Sequence, residues 1–96
     1  MSPASALRAG FVGAGFAARF HYESLTQVRA RGMVPLGVYS KRADSRRRFA
    51  EERGLRAFDT LEELLGAVDV VHVCVPPALH ESVTVAALER GVHVIV

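Results

Sequence analysis

Residues 9–18 read Ala9-Gly10-Phe11-Val12-Gly13-Ala14-Gly15-Phe16-Ala17-Ala18. A short apolar run passes into a glycine-rich turn and then into helix-forming residues. The order predicts a strand, a tight turn and a helix. Gly13 allows the sharp turn, Gly15 leaves its Cα bare so that an anion can approach the backbone, and Ala18 is small enough for the helix to lie on the strand. The free N–H groups and the positive end of the helix dipole then face one point in space, which is a phosphate site made from backbone alone. The pattern G-x-G-x-x-A also occurs as a plain packing device. What favours the nucleotide reading is context, because a strand precedes it, a helix follows and a second strand comes next.

Outward from that turn the chain alternates strand and helix. The expected strands are Arg8 to Val12, Val34 to Tyr39, Arg56 to Phe58, Asp69 to Val75 and Val92 to Val96. Helix one is expected over Phe16 to Arg31, with Ala17, Phe20, Leu25 and Val28 facing inward and Gly32 at its end. Helix two, Ala43 to Arg53, turns Phe49 and Ala50 inward and stops at Gly54. Thr60-Leu61-Glu62-Glu63 is a capping box that opens a helix burying Leu61, Leu64 and Leu65. Pro77 suits the first turn of the last helix, which runs to about Arg90 before Gly91. The valine-rich strands do not alternate strictly, as expected where both faces are covered. Together these features predict an α/β fold, a doubly wound parallel sheet of order 3-2-1-4-5.

Composition sets bounds. The chain has 96 residues, of which 50% are hydrophobic and 23% charged, enough for one modest core. A net charge of +2 points to neither nucleic acid nor membrane as a partner. No apolar run approaches the ~20 residues that span a bilayer. The single cysteine, Cys74, excludes an intramolecular disulfide and agrees with a cytoplasmic location; its place on a strand reads as a small buried hydrophobe. Residues 1–96 are expected to be one dinucleotide-binding domain, and the final valine-rich strand suggests the N-terminal portion of a longer protein.

In this topology the carboxyl ends of strands one and four form the ligand crevice. Gly13, Gly15, Phe16 and Ala17 are the cofactor-binding candidates on one side, and Val75, Pro76, Pro77 and His80 on the other. His80 either approaches the cofactor ribose or merely finishes a helix turn. At the end of strand two, Ser40 stands where many NAD enzymes carry the acid that bonds the ribose 2′-hydroxyl. Its spacing from Gly15 is 25 residues, slightly longer than the usual ~20. Serine removes a charge that would repel a 2′-phosphate, and Lys41 and Arg42 can attract one. NADP is therefore expected in preference to NAD. Arg46, Arg47, Arg48 and Arg53 read as a solvated helix face. His21, His72 and His93 read as structural, no histidine spacing suggests a metal site, and no base partners a serine or the cysteine for nucleophilic catalysis.

Four stretches resemble the Gfo/Idh/MocA oxidoreductases. They are Phe11 to Phe16 with His21 and Leu25; Val38 to Arg42 with Phe49 to Gly54; Cys74-Val75-Pro76-Pro77-Ala78-Leu79-His80; and Ala86 to Val94, where Val92 replaces the family's lysine. The resemblance implies a two-domain enzyme with an N-terminal NAD(P)-binding Rossmann domain. Its second domain holds the proton-transfer histidine, and a Glu-Lys-Pro motif would follow Val96. Typical reactions interconvert a sugar or cyclitol hydroxyl and its ketone, commonly in a homo-oligomer. This segment then carries cofactor binding and no catalytic acid or base, and by itself has no turnover. The same scaffold could instead serve a non-enzymatic dinucleotide-binding regulator. A methyltransferase with a glycine-rich loop fits the Pro76-Pro77 segment poorly.

Overall fold

The computed structural model describes residues 7–27 and 32–96. Its elements in chain order are β1 (Leu7–Val12), α1 (Phe16–Gln27), β2 (Met33–Tyr39), α2 (Ala43–Arg53), β3 (Arg56–Ala57), α3 (Leu61–Ala67), β4 (Val70–Val73), α4 (Pro77–Glu89) and β5 (His93–Ile95). The five strands form one sheet of order β3-β2-β1-β4-β5, and every pairing is parallel. This is the doubly wound arrangement expected from the sequence, with β1 and β4 adjacent at the centre.

Strand alternation sorts the core into two layers. On β1, Ala9 and Phe11 face one side and pack with Ala18 and Leu25 of α1 and with Phe49 and Ala50 of α2. Val12, Val71 and Val73 face the other side and pack with Leu64 and Leu65 of α3 and Val83 and Ala87 of α4. Side chains on a strand point to opposite faces in turn, so the buried residues of β1 and β4 are apolar on both faces, with His72 as the exception. Gly10 lies opposite α3, and a Cβ there would meet Leu64 and Val68. Its bare Cα is what lets that helix settle onto β1. Between Ala9 and Gly10 the pairing with β2 slips past Leu36, next to Pro35. Proline has no N–H to give to a ladder, which accounts for a bulge at this point.

Helix ends follow local chemistry. The Thr60 side chain accepts the Glu63 N–H at 3.1 Å, the threonine arm of the capping box. Pro77 opens α4 without loss, because a first-turn N–H has no intrahelical partner. Gly54 ends α2 in the left-handed region at φ 68.

The face of α1 differs from expectation. Leu25 is buried, but Ala17 is exposed and Phe20 is 63% exposed; Val28 lies outside the described residues, as does the rest of the expected helix beyond Gln27. The inward stripe is Ala18 and Leu25, both buried, with the half-buried Tyr22 packed against them. At 100° per residue Ala18 falls about 20° from Leu25, whereas Phe20 falls about 140° away. The arginines of α2 also divide. Arg47 and Arg48 are exposed, whereas the side chains of Arg46 and Arg53 keep only 14% and 12% exposure. Arg53 lies over the Phe49 ring at 4.0 Å and donates to the Phe49 carbonyl. Residues 46, 49, 50 and 53 share a helix face, so the pair flanks the buried stripe, their apolar stems packed and their heads reaching its edge.

Candidate cofactor-binding site

The turn after β1 is held from both sides. The Gly13 N–H donates to the Tyr39 carbonyl at 2.7 Å, and the Cys74 N–H donates to the Val12 carbonyl at 2.8 Å. Gly13 has φ 106, and a Cβ there would run into the Cys74 carbonyl. Two independent causes therefore require glycine, conformation and space. Gly13→Ala is expected to destabilise the fold by several kcal/mol or prevent folding, since backbone strain of this kind alone costs about 1–3 kcal/mol. A urea unfolding midpoint close to that of the parent chain would overturn this.

Gly15 is different. Its φ is not positive, and nothing lies within 4 Å of where its Cβ would be. The space in front of it is open. The first intrahelical bond of α1 runs from the Arg19 N–H to the Gly15 carbonyl, so the N–H groups at the helix start have no helical acceptor. No acidic residue stands in that first turn. The positive end of the helix dipole is therefore uncompensated and faces open space, which suits an anion.

A cleft of about 640 Å³ extends from this point along the carboxyl ends of the strands. Gly13, Gly15, Ser40, Lys41, Arg42, Val75 and Pro76 line it. Ala17, Pro77 and His80 stand back from the lining, and the side chain of Phe16 lies outside the described part of the structure. His80 Nε2 sits 2.7 Å from the Val75 carbonyl, so its ring braces the β4–α4 turn. Lining residues that sequence reasoning did not single out include Tyr39, Ser45, Leu61, Leu79 and Val83. Of these, Tyr39 and Leu79 lie in stretches that carry the resemblance, and Ser45 follows the basic pair at the start of α2. A second concavity, of about 610 Å³, opens at the amino ends of the strands around Leu7, Asp69 and His93. Ligands of open parallel sheets bind at the carboxyl ends, so the first cleft is the candidate.

Ser40 is buried, and its hydroxyl donates to the Arg42 carbonyl at 3.1 Å. Its lone pairs stay free to accept a bond from a ribose hydroxyl, but its one proton is committed to the turn. Arg42 is 77% exposed and pairs with Asp44 at 3.5 Å, and the charge of Arg42 is the leading cause that lowers the Asp44 carboxyl below its usual range. Cys74 also lines the cleft, and burial pushes its thiol up to about 11, so it is an unreactive wall residue. Behind β1, His72 and His21 meet with Nδ1 atoms 2.9 Å apart, a pair that sequence spacing does not suggest. Among the described residues no group of three or more His, Cys, Asp or Glu side chains could hold a metal ion. Nor is any described helix long and apolar enough to cross a membrane.

The sequence profile of the oxidoreductase family with an NAD-binding Rossmann fold, Gfo/Idh/MocA, matches residues 7–96. The chain belongs to the Gfo/Idh/MocA oxidoreductases. It is 31% identical over 93 residues to UDP-N-acetylglucosamine 3-dehydrogenase from Acidithiobacillus ferrooxidans, spanning 94% of this chain and 28% of that enzyme. The solved structure of that enzyme superposes with a TM-score of 0.82, over 92% of this chain and 28% of the other. The NAD complex of GenD2, from gentamicin A biosynthesis, is 28% identical with a TM-score of 0.85, covering 94% of this chain and 26% of GenD2. Biliverdin reductase from Synechocystis sp. PCC 6803, solved with biliverdin and NADP+, is 26% identical with a TM-score of 0.81, covering 97% and 28%. Solved structures similar to this chain thus include complexes with either nicotinamide cofactor. The chain corresponds to little more than a quarter of each relative.

Proposed function

We propose that this chain is the cofactor-holding segment of an NAD(P)-dependent oxidoreductase acting on a sugar, sugar nucleotide or cyclitol, with NADP preferred over NAD. The observation that carries the reading is the open space before Gly15, set against the uncompensated start of α1 at the mouth of the cleft. In that arrangement the N–H groups after Gly15 hold the pyrophosphate, and Val75 and Pro76 wall the path toward the nicotinamide end. Ser40, Lys41 and Arg42 bound the ribose end. The nicotinamide, when bound, supplies the hydride chemistry; the fold supplies grip and orientation. The substrate class is proposed from the relative that acts on a sugar nucleotide. Among the described residues, Val75 and Pro76 wall the path toward the nicotinamide end and carry no acid or base, so this segment alone is expected to bind cofactor and turn nothing over.

The preference for NADP rests on charge more than on the serine. Among the described residues no carboxylate lines the ribose end, whereas Lys41 and Arg42 do. To donate to a phosphate, the Ser40 hydroxyl must first leave the Arg42 carbonyl. Ser40→Asp is expected to weaken NADP about tenfold or more and to hold or improve NAD, because the carboxylate repels a 2′-phosphate and accepts from a 2′-hydroxyl. Calorimetric titration of the parent chain and of Ser40→Asp with both cofactors tests this. Tighter binding of NAD than NADP by the parent chain would sink the preference, and absence of binding by either would sink the cofactor reading.

A further inference from the structure

We propose that Arg46 is the positioning residue that sets how the cleft treats the cofactor's 2′-position, holding a fixed positive charge behind Ser40 and covering the Ser40 carbonyl. This rests on the cofactor reading above and deepens it. Arg46 sits in the first turns of α2, next to the lining residue Ser45, but does not itself line the cleft. One guanidinium nitrogen donates to the Ser40 carbonyl at 2.9 Å, and the other lies 3.4 Å from Asp59. The same group lies 5.7 Å from the centre of the Tyr39 ring. Tyr39 in turn receives the Gly13 N–H. One side chain therefore ties the end of β2, the start of α2 and the loop before α3 together along one wall of the cleft.

Magnitudes favour Arg46 over its exposed neighbours. Arg42 is 77% exposed, so its attraction to an anion is weakened by solvent and salt and opposed by the entropy of ordering a long side chain. The Arg46 side chain is 14% exposed and already fixed by its bonds. A charge held in partly buried surroundings acts more strongly at the same distance. Ser40 lines the cleft at the ribose end, and the partial negative charge of its carbonyl opposes an anion nearby unless it is offset. The bond from Arg46 removes that opposition. Asp59 is the counter-charge, and at 86% exposure it offsets Arg46 only in part.

The experiment titrates the parent chain, R46Q, R46K and D59N with NADP+ and NAD+ by calorimetry, with thermal unfolding recorded for each. R46Q should lower the NADP-to-NAD affinity ratio about tenfold, the scale of one unit charge acting across several ångströms of partly buried protein, while NAD affinity changes by about twofold or less. R46K keeps the charge as a single ammonium but loses the two-nitrogen fork, so the ratio should fall clearly less than in R46Q, and an equal fall would overturn the role of the charge. D59N removes the counter-charge and should raise the ratio by about two- to threefold. An unchanged ratio in R46Q, or equal weakening of both cofactors, would make Arg46 a structural brace and overturn the inference. If R46Q does not fold, D59N decides alone, because Asp59 is exposed and an unchanged ratio there overturns the inference equally. A parent chain that binds neither dinucleotide refutes the cofactor reading itself, which is a separate and visible result.

Discussion

Gly15→Val should remove dinucleotide binding and leave the stability of the fold near that of the parent chain. The backbone at Gly15 is in a region open to any L-residue, and a Cβ would meet no protein atom within 4 Å. The valine side chain would fill the space before the start of α1, where a pyrophosphate must come close to the N–H groups. Two hydrogen bonds to a charged group, at about 1.5 kcal/mol each, correspond to a loss of about a hundredfold or more in affinity. Calorimetry with NADP+ and thermal unfolding, run side by side, check both halves. Affinity retained on a folded variant would show that the phosphate is held elsewhere. The contrast with Gly13 is the sharper test, since two glycines a residue apart should fail in opposite ways, one in binding and the other in folding.

Acid should unfold this domain earlier than its carboxylates require. His72 is 6% exposed, lies stacked on Phe11 at 5.0 Å between centroids, and meets His21 at 2.9 Å. Its Nε2 has no hydrogen-bond partner among the described residues. Burial, with a smaller contribution from the neighbouring His21, pushes the His72 imidazole down to about 4. Unfolded, the ring titrates near 6.5, so between these values the unfolded chain binds a proton that the folded chain refuses. Stability is therefore full above about pH 6.5 and falls as pH drops toward 4, by about 3 kcal/mol in all. For a chain of this length that is a large share of the total. The carboxyls of Asp69, lowered by the side-chain hydrogen bonds of Arg8, and Asp44, lowered by the charge of Arg42, titrate beneath this window. Urea unfolding at pH 7, 5.5 and 4 should show the loss, and His72→Phe should flatten it by about the same amount. An identical pH slope in the two proteins would refute the assignment.

The turn from Val12 to Ala18 was legible because its physics is local. Positive φ at Gly13, a bare Cα at Gly15 and a small residue at Ala18 follow from how one strand meets one helix. The proline pair after β4 and the Thr60 cap are legible for the same reason. The arginines of α2 are less legible. Their spacing already put Arg46 and Arg53 on the face of Phe49 and Ala50, but charge suggested solvent. A long side chain can bury its stem and bring its head to a carbonyl, as both do here. Large apolar residues such as Phe20 point to the wrong face of α1, because the inward face follows the helical period that Ala18, Tyr22 and Leu25 keep.

By itself the sequence determined the order of elements, the parallel sheet and its strand order, and the position of the glycine turn at the sheet's centre. Those follow from periodicity, capping and steric rules that act within a few residues. Tertiary structure alone decided which distant groups meet. His21 and His72 are 51 positions apart and touch because β4 alternation turns residue 72 toward the layer under α1. Arg46, Ser40 and Asp59 come together because β2, α2 and the loop before α3 converge at one end of the sheet. The shape and charge of the ribose end depend on that convergence, since a contact between segments far apart in the chain leaves no periodic trace in either.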